Sequence, residues 1–259
     1  MEFEPVKKVS SYEMIVEQIE AGVREGRLQP GDRLPGERRL MERFSVSRPT
    51  VREAMRVLDA TGVVSTRAGD PRGPEVLAFS PEVLEGPLVR MTHQEGTTRA
   101  ELIQFRLLLE GQSALLAAAM GDDEAKQTIS GRAADLARLA DRAADAGAHG
   151  KLREEFGVLL SHFHSAIRAA SGNQLLQATG QAVDAALTTI ARQRLGDESD
   201  GSALESRLRL SARDAGRLSE RILAGDAAGA RLSATENIFR FYQDRLTEQE
   251  LKALEPLLG

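Results

Sequence analysis

Residues 45–59 read SVSRPTVREAMRVLD, and the rest of the chain is understood from them outward. Val51, Ala54, Met55 and Leu58 recur at i, i+3, i+4 and i+7, which is one apolar stripe of a helix. Arg48, Arg52 and Arg56 recur every fourth residue and fall together on another face. Ser47 stands where an N-cap is wanted, and Pro49 lies in the first turn, where a missing backbone N–H costs nothing. The helix therefore starts near Arg48 with free amides, two hydroxyls (Ser47 and Thr50) and two guanidinium forks at one end. Such an end suits phosphate oxygens and, through bidentate arginine contacts, guanine edges in a major groove. A surface helix with a solvated basic face would show the same spacing, so the flanking sequence has to decide.

Upstream, Ser10 and Glu13 in SSYE make a capping box, and Ile15, Val16, Ile19 and Val23 continue a helical stripe. The segment RLQPGDRLPGERRL then turns at Pro-Gly and opens a second helix at about residues 37–44, with Gly36 as a weak N-cap. Four residues later the arginine-bearing helix begins. Two short helices joined this tightly make a helix-turn-helix. Beyond Gly62, VVSTR and PEVLA are β-prone runs around AGDPRG, the pattern of a two-stranded wing with Arg67 and Arg72 near its tip.

Charge is distributed unevenly. The net charge of -5 hides a local +4 over residues 33–72, where nine arginines face five carboxylates. Residues 1–79 hold thirteen charges of each sign, so the remaining 180 residues carry the whole deficit. A basic patch beside an acidic domain fits local docking on DNA and argues against a protein that wraps it. The chain has no cysteine, which excludes disulfides, thiolate metal sites and cysteine nucleophiles. The start, MEFEPVKK, lacks a signal-peptide core, and the longest apolar run, residues 114–120, is too short for a bilayer. A cytoplasmic protein without membrane contact is expected.

Residues 69–87 are rich in Gly and Pro and read as wing plus linker. From there the pattern is helical throughout. Thr98 and Glu101 form a second capping box for a helix reaching Met120, with Leu102, Phe105, Leu109 and Leu116 toward a core. Gly121-Asp122 breaks it, and further helices follow to about residues 146, 152–170, 174–195, 202–224 and 227–246. A last short helix is capped by Thr247 and Glu250. The expected fold class is mainly α: a winged helix-turn-helix (residues 1–79, wing and linker about 62–87) followed by an antiparallel all-helical bundle of six or seven helices (residues 80–259).

The runs QIEAGVREGRLQPGDRLPGERRL and FSVSRPTVREAMRVLDATGVV closely resemble the winged helix-turn-helix of the GntR family of bacterial transcription regulators. That resemblance implies double-stranded DNA as partner, read as an inverted repeat by a homodimer. It places Arg38, Ser47, Arg48, Thr50 and Arg52 at the operator, with the wing glycine Gly69 reaching the minor groove, and Arg67 near the wing tip joins the candidate DNA-binding residues. Gly36 stands where the family usually has Ser, and Ala68 replaces a residue that is often polar. The second half resembles the helical FCD effector domain of the FadR-type branch through RLLLE, FHSAIRAASGN and RILAGDAAGAR.

Many members of that branch hold a divalent metal with an Asp, a His four residues on, and two later His. Here those positions read Leu160, His164, Ala215 and Asn237. One imidazole and one amide cannot hold a metal tightly against water, so no metal and no cofactor is expected. What remains is a candidate effector site comprising Arg106, Leu160, His164 and Asn237, for a small carboxylate or acyl metabolite. Arg106 is either an anion hook or an ordinary i, i+4 partner of Glu110. His162 and His164, two apart on one helix, cannot line the same cavity. The competing function, a helical metabolite-binding protein or enzyme with an accessory winged helix, finds no GxSxG, HExxH or phosphate-loop pattern. A repressing regulator, and not an enzyme, is the expected function.

Overall fold

A computed structural model describes residues 10–66, 72–93, 98–146, 150–194 and 201–258. The chain separates into two compact units, Met1–Val83 and Leu84–Gly259. In the first, α1 (Ser11–Arg24), α2 (Glu37–Phe44) and α3 (Arg48–Ala60) surround one core, followed by strands β1 (Val64–Ser65) and β2 (Glu75–Val76). The Ser10 capping box opens α1, its hydroxyl accepting from the Glu13 amide while the Glu13 carboxylate accepts from that of Ser10. Ile15 and Ile19 of α1 and Leu40 of α2 meet Val51, Ala54, Met55 and Leu58 of α3, all buried. Each of the larger side chains so placed contributes roughly 1.5–3 kcal/mol, and this stripe turns the opposite face of α3 outward.

Two details set the angle of that face. Ser45 closes α2 in the left-handed region at φ 53°, the only described non-glycine residue with positive φ, and Val46 N–H then bonds Met41 O at 3.2 Å. The wing pairs antiparallel with Val64 opposite Val76 and Ser65 opposite Glu75. It is backed by residues 31–34: Leu34 N–H bonds Pro74 O and Val76 N–H bonds Asp32 O, both at 2.8 Å. Gly73, at φ 85°, lies so close to Leu34 O that no side chain could stand there.

The second unit is a helical bundle. Its long helices are α5 (Arg99–Met120), α6 (Asp123–Ala146), α7 (Gly150–Ala170), α8 (Gln174–Arg194), α9 (Gly201–Leu223) and α10 (Ala227–Tyr242). A 3-10 turn at Gln243–Arg245 and the short α11 (Glu248–Leu254) close it. The expected 227–246 helix thus ends four residues early. Two apolar clusters share α5: one joins it to α6, α7, α9 and α10, the other to α8, α10 and α11. Phe105 does not join either; it is 40% exposed, contrary to its expected place in the core.

One element was not expected. The presumed linker is helical from Glu82 to His93 (α4), with Pro87 inside it. Leu88 and Val89 pack against the α5–α8–α10 cluster, and the Glu85 carboxylate accepts from the Thr189 hydroxyl at 2.8 Å. Tertiary burial outweighs the lost i−4 hydrogen bond that made the sequence read as coil.

Candidate DNA-binding face and ligand cavity

With its apolar stripe in the core, α3 presents Arg48, Arg52 and Arg56 outward, their side chains 62%, 61% and 78% exposed. Arg38 of α2 is also exposed, 3.7 Å from Glu42. Ser47 is the N-cap by position, in extended conformation, yet its hydroxyl makes no cap bond; it pairs with the Thr50 hydroxyl at 2.9 Å. The first turn of α3 therefore keeps its N–H groups and carries no acidic residue, the arrangement that attracts phosphate. Arg67 and Gly69 lie outside the described residues. At the base of the wing Arg33 pairs with Glu75 and donates to Gly73 O at 3.0 Å.

The sequence did not single out Glu37, the first residue of α2. Its carboxylate bridges Arg48 and Arg52, Oε2 lying 3.1 Å from Arg48 Nη2 and Oε1 2.6 Å from Arg52 Nε. Desolvation alone would raise the Glu37 carboxyl, but the bonds from Arg52 and Arg48 outweigh it and hold it below the usual carboxylate range. The two guanidiniums thus stand as an oriented pair, although nothing in local spacing links residues on different helices.

In the second unit a cavity of about 250 Å³ opens among α7, α9 and α10, with Arg106 of α5 in its wall. Leu160, His164, Ala215 and Asn237, taken from three helices, all line it, and His162 is exposed elsewhere. The donor set does not suit a metal ion. Leu160 and Ala215 offer no ligand atom. Asn237 Oδ1 already accepts from Arg240 Nη2 at 2.7 Å, and its Nδ2 donates to Asp214 O at 3.1 Å. A guanidinium fixed at that distance from the site would repel a cation.

Behind the cavity lies a buried ionic circuit. Glu110, 1% exposed, accepts from Arg168 and, at 2.9 Å, from His164 Nδ1. Arg168 Nη2 reaches Asp184 Oδ2 at 2.9 Å. Arg106 Nη1 donates to the Tyr242 hydroxyl at 2.5 Å, and its Nε sits 3.1 Å from Asp184 Oδ1, close enough to pair charges but not aligned as a hydrogen bond. Arg106 therefore does not pair with Glu110 one turn on; it reaches across to α8 and α10. Burial by itself would raise the Glu110 carboxyl, yet the Arg168 charge, then His164, hold it well below the ordinary range. Because Glu110 is anionic, His164 Nδ1 must carry the proton, which leaves Nε2 as the ring atom able to meet a ligand. Arg168 itself fits only because position 180 is glycine; a Cβ there would overlap its Cδ and Nε. Arg168, Asp184 and Tyr242 were missed in the sequence. The available signal was a charged residue one helical turn after His164 on the inward face of α7.

Residues 11–71 match the model of the bacterial regulatory proteins of the gntR family, and residues 101–239 match the FCD domain. The chain belongs to the GntR family. Among curated GntR relatives, the Glc operon transcriptional activator of Escherichia coli (strain K12) is 33% identical over 173 residues, 66% of this chain and 65% of that protein. The chain thus spans just under two thirds of that relative's length. The HTH-type transcriptional regulator LutR of Bacillus subtilis (strain 168) is 34% identical over 158 residues, 60% of this chain and 65% of its own. The transcriptional repressor NanR of Enterobacter sp. (strain 638) is 33% identical over 131 residues, 49% of each. A solved structure titled Streptococcus agalactiae GntR superimposes with TM-score 0.64 at 21% identity, covering 90% of this chain and 99% of that one, a likeness of fold. Among the described residues no helix is long and apolar enough to cross a membrane.

Proposed function

We propose that this GntR-family chain is a DNA-binding transcriptional repressor, acting as a homodimer on an inverted-repeat operator and released by a small metabolite. The observation that carries the reading is the exposed Arg48–Arg52 pair at the free N-terminal turn of α3, held in register by Glu37. Paired recognition helices impose a two-fold operator. Arg38, Ser47 and Thr50 supply backbone contacts around the arginine fork, and Arg67 and Gly69 of the wing extend them. The names of the relatives include both an activator and a repressor; we adopt repression because a ligand favouring one dimer geometry would weaken the match to a fixed half-site spacing.

The cavity of the second unit is the proposed effector site, with Arg106, Leu160, His164 and Asn237 in its wall. Its 250 Å³ falls below the usual range of small-molecule pockets, about 300–1,000 Å³, and favours a short carboxylate over a long acyl chain. The test is footprinting and fluorescence anisotropy on the promoter of the chain's own gene, with sedimentation of the free protein. Protection with dyad symmetry by a dimer, and higher promoter output on deletion of the gene, are expected. A monomer at micromolar concentration, or protection without symmetry, would refute the reading.

A further inference from the structure

Asp59 stands on the exposed face of α3, where electrostatics alone would not put it. It continues the row of Arg52 and Arg56 on that face. It lies in the last turn of the helix, where the carbonyl ends favour a cation, and no basic residue occupies that turn. A carboxylate beside arginines that suit phosphate also repels the phosphate. Its contacts supply the compensation. Arg56, one turn back, pairs with Glu53 at 3.5 Å, and Asp59 reaches forward to the wing. Its Oδ1 accepts from the Thr66 amide at 3.0 Å and its Oδ2 from the Thr66 hydroxyl at 2.9 Å. The turn after α3 brings the two together: Gly62, at φ 72°, reverses the chain, and Val63 N–H bonds Leu58 O at 2.9 Å. On the other strand of the wing, Arg33 holds Glu75 and Gly73 O. Each strand is thus braced by a charged side chain, and the Asp59 brace runs to α3 itself.

We propose that Asp59 is a positioning residue of the DNA interface: it fixes the angle at which the wing leaves α3, so that helix and wing meet the duplex in one register. Arg67 follows Thr66 at once in the chain and Gly69 comes two residues later. A constraint made before binding removes an ordering cost from the complex. The repulsion from the carboxylate acts on every duplex alike, whereas the fixed spacing helps only a duplex that satisfies α3 and the wing together. Asp59 therefore lowers affinity for DNA in general and raises discrimination. This assignment rests on the chain binding DNA through α3 and its wing.

The experiment uses the full chain and two duplexes of equal length, one selected by the parent protein from a random-sequence pool and one of random sequence. Anisotropy gives the two affinities. At saturating protein, hydroxyl-radical cleavage reads the sugars along the minor groove, and dimethyl sulfate reads guanine N7 in the major groove. Asp59→Ala should weaken binding to the selected duplex roughly 3- to 10-fold and tighten it on the random one. It should also erase part of the sugar protection while the guanine protection made by α3 remains. Asp59→Asn removes the charge but keeps both contacts, its Oδ1 accepting from the Thr66 amide and its Nδ2 donating to the hydroxyl. Its affinity ratio and sugar protection should match the parent's. Thr66→Val leaves α3 untouched and loses one bond, so it should fall between, and Thr66→Ser should restore the parent's values. Identical behaviour of Asp59→Ala and Asp59→Asn would mean that the carboxylate acts only as a charge, and the proposal falls. It falls equally if Asp59→Ala and Thr66→Val leave ratio and sugar protection unchanged. If Asp59→Ala does not fold, Thr66→Val against Thr66→Ser decides by the same readouts. A parent chain that selects no sequence from the pool overturns the DNA-binding reading itself, which failure of the variants alone leaves standing.

Discussion

At the scale of single residues, the turn between α2 and α3 carries a measurable cost. Ser45 holds φ 53°, a conformation that a Cβ disfavours by roughly 1 kcal/mol. Ser45→Gly should stabilise the protein by up to about that amount, read as a higher urea midpoint with unchanged slope. A β-branched residue at 45 should lower it. Three residues on, the arginine fork gives a second prediction. Arg48→Ala and Arg52→Ala should each cost about 1–3 kcal/mol of operator binding if the pair reads bases, whereas Arg39 and Arg43 should matter equally for all sequences. Glu37→Gln removes an anion beside the phosphates but frees both guanidiniums. Affinity for random DNA should rise and the ratio of operator to random binding should fall, both measured by anisotropy at one salt concentration. A ratio that stays constant would show that Glu37 does not orient the pair.

At the scale of elements, legibility followed periodicity. The stripe at 51, 54, 55 and 58, the Ser47 position and Pro49 located α3 to its first residue, and Gly36 marked the start of α2. Capping boxes at Ser10, Thr98 and Thr247 marked three further starts. Helix α4 escaped because Gly86 and Pro87 are local signals for coil, while its stability comes from Leu88 and Val89 against a core assembled from residues a hundred positions later. Pro87 is exposed, so Pro87→Ala adds a helix donor without removing packing. It should stabilise the second unit by up to about 3 kcal/mol, seen as a raised thermal midpoint.

At the scale of the whole molecule, one ionic circuit sews α5, α7, α8 and α10 together through Arg106, Glu110, His164, Arg168, Asp184 and Tyr242. Removing one member strands the others in low dielectric. Glu110→Ala should cost about 3–5 kcal/mol, whereas Glu155→Ala, which breaks an exposed pair with Arg142, should barely move the unfolding midpoint. The Glu110 carboxyl is depressed in the folded state, so its stabilisation is complete above the ordinary carboxylate value of about 4.3 and is lost as pH falls below it toward the folded value. Acid unfolding curves of Glu110→Gln should be flatter over that interval than those of the parent. Beyond Arg106, Glu110 and His164 as residues, none of this circuit was legible in the sequence, because its members meet only after four helices have packed. Position 180 carries the mark of it. Arg168 cannot be lost without orphaning Glu110 and Asp184, and any side chain at 180 would evict Arg168. The two positions are therefore coupled: a chain that keeps the arginine is expected to keep the glycine, and one that gives up the arginine is released from that constraint.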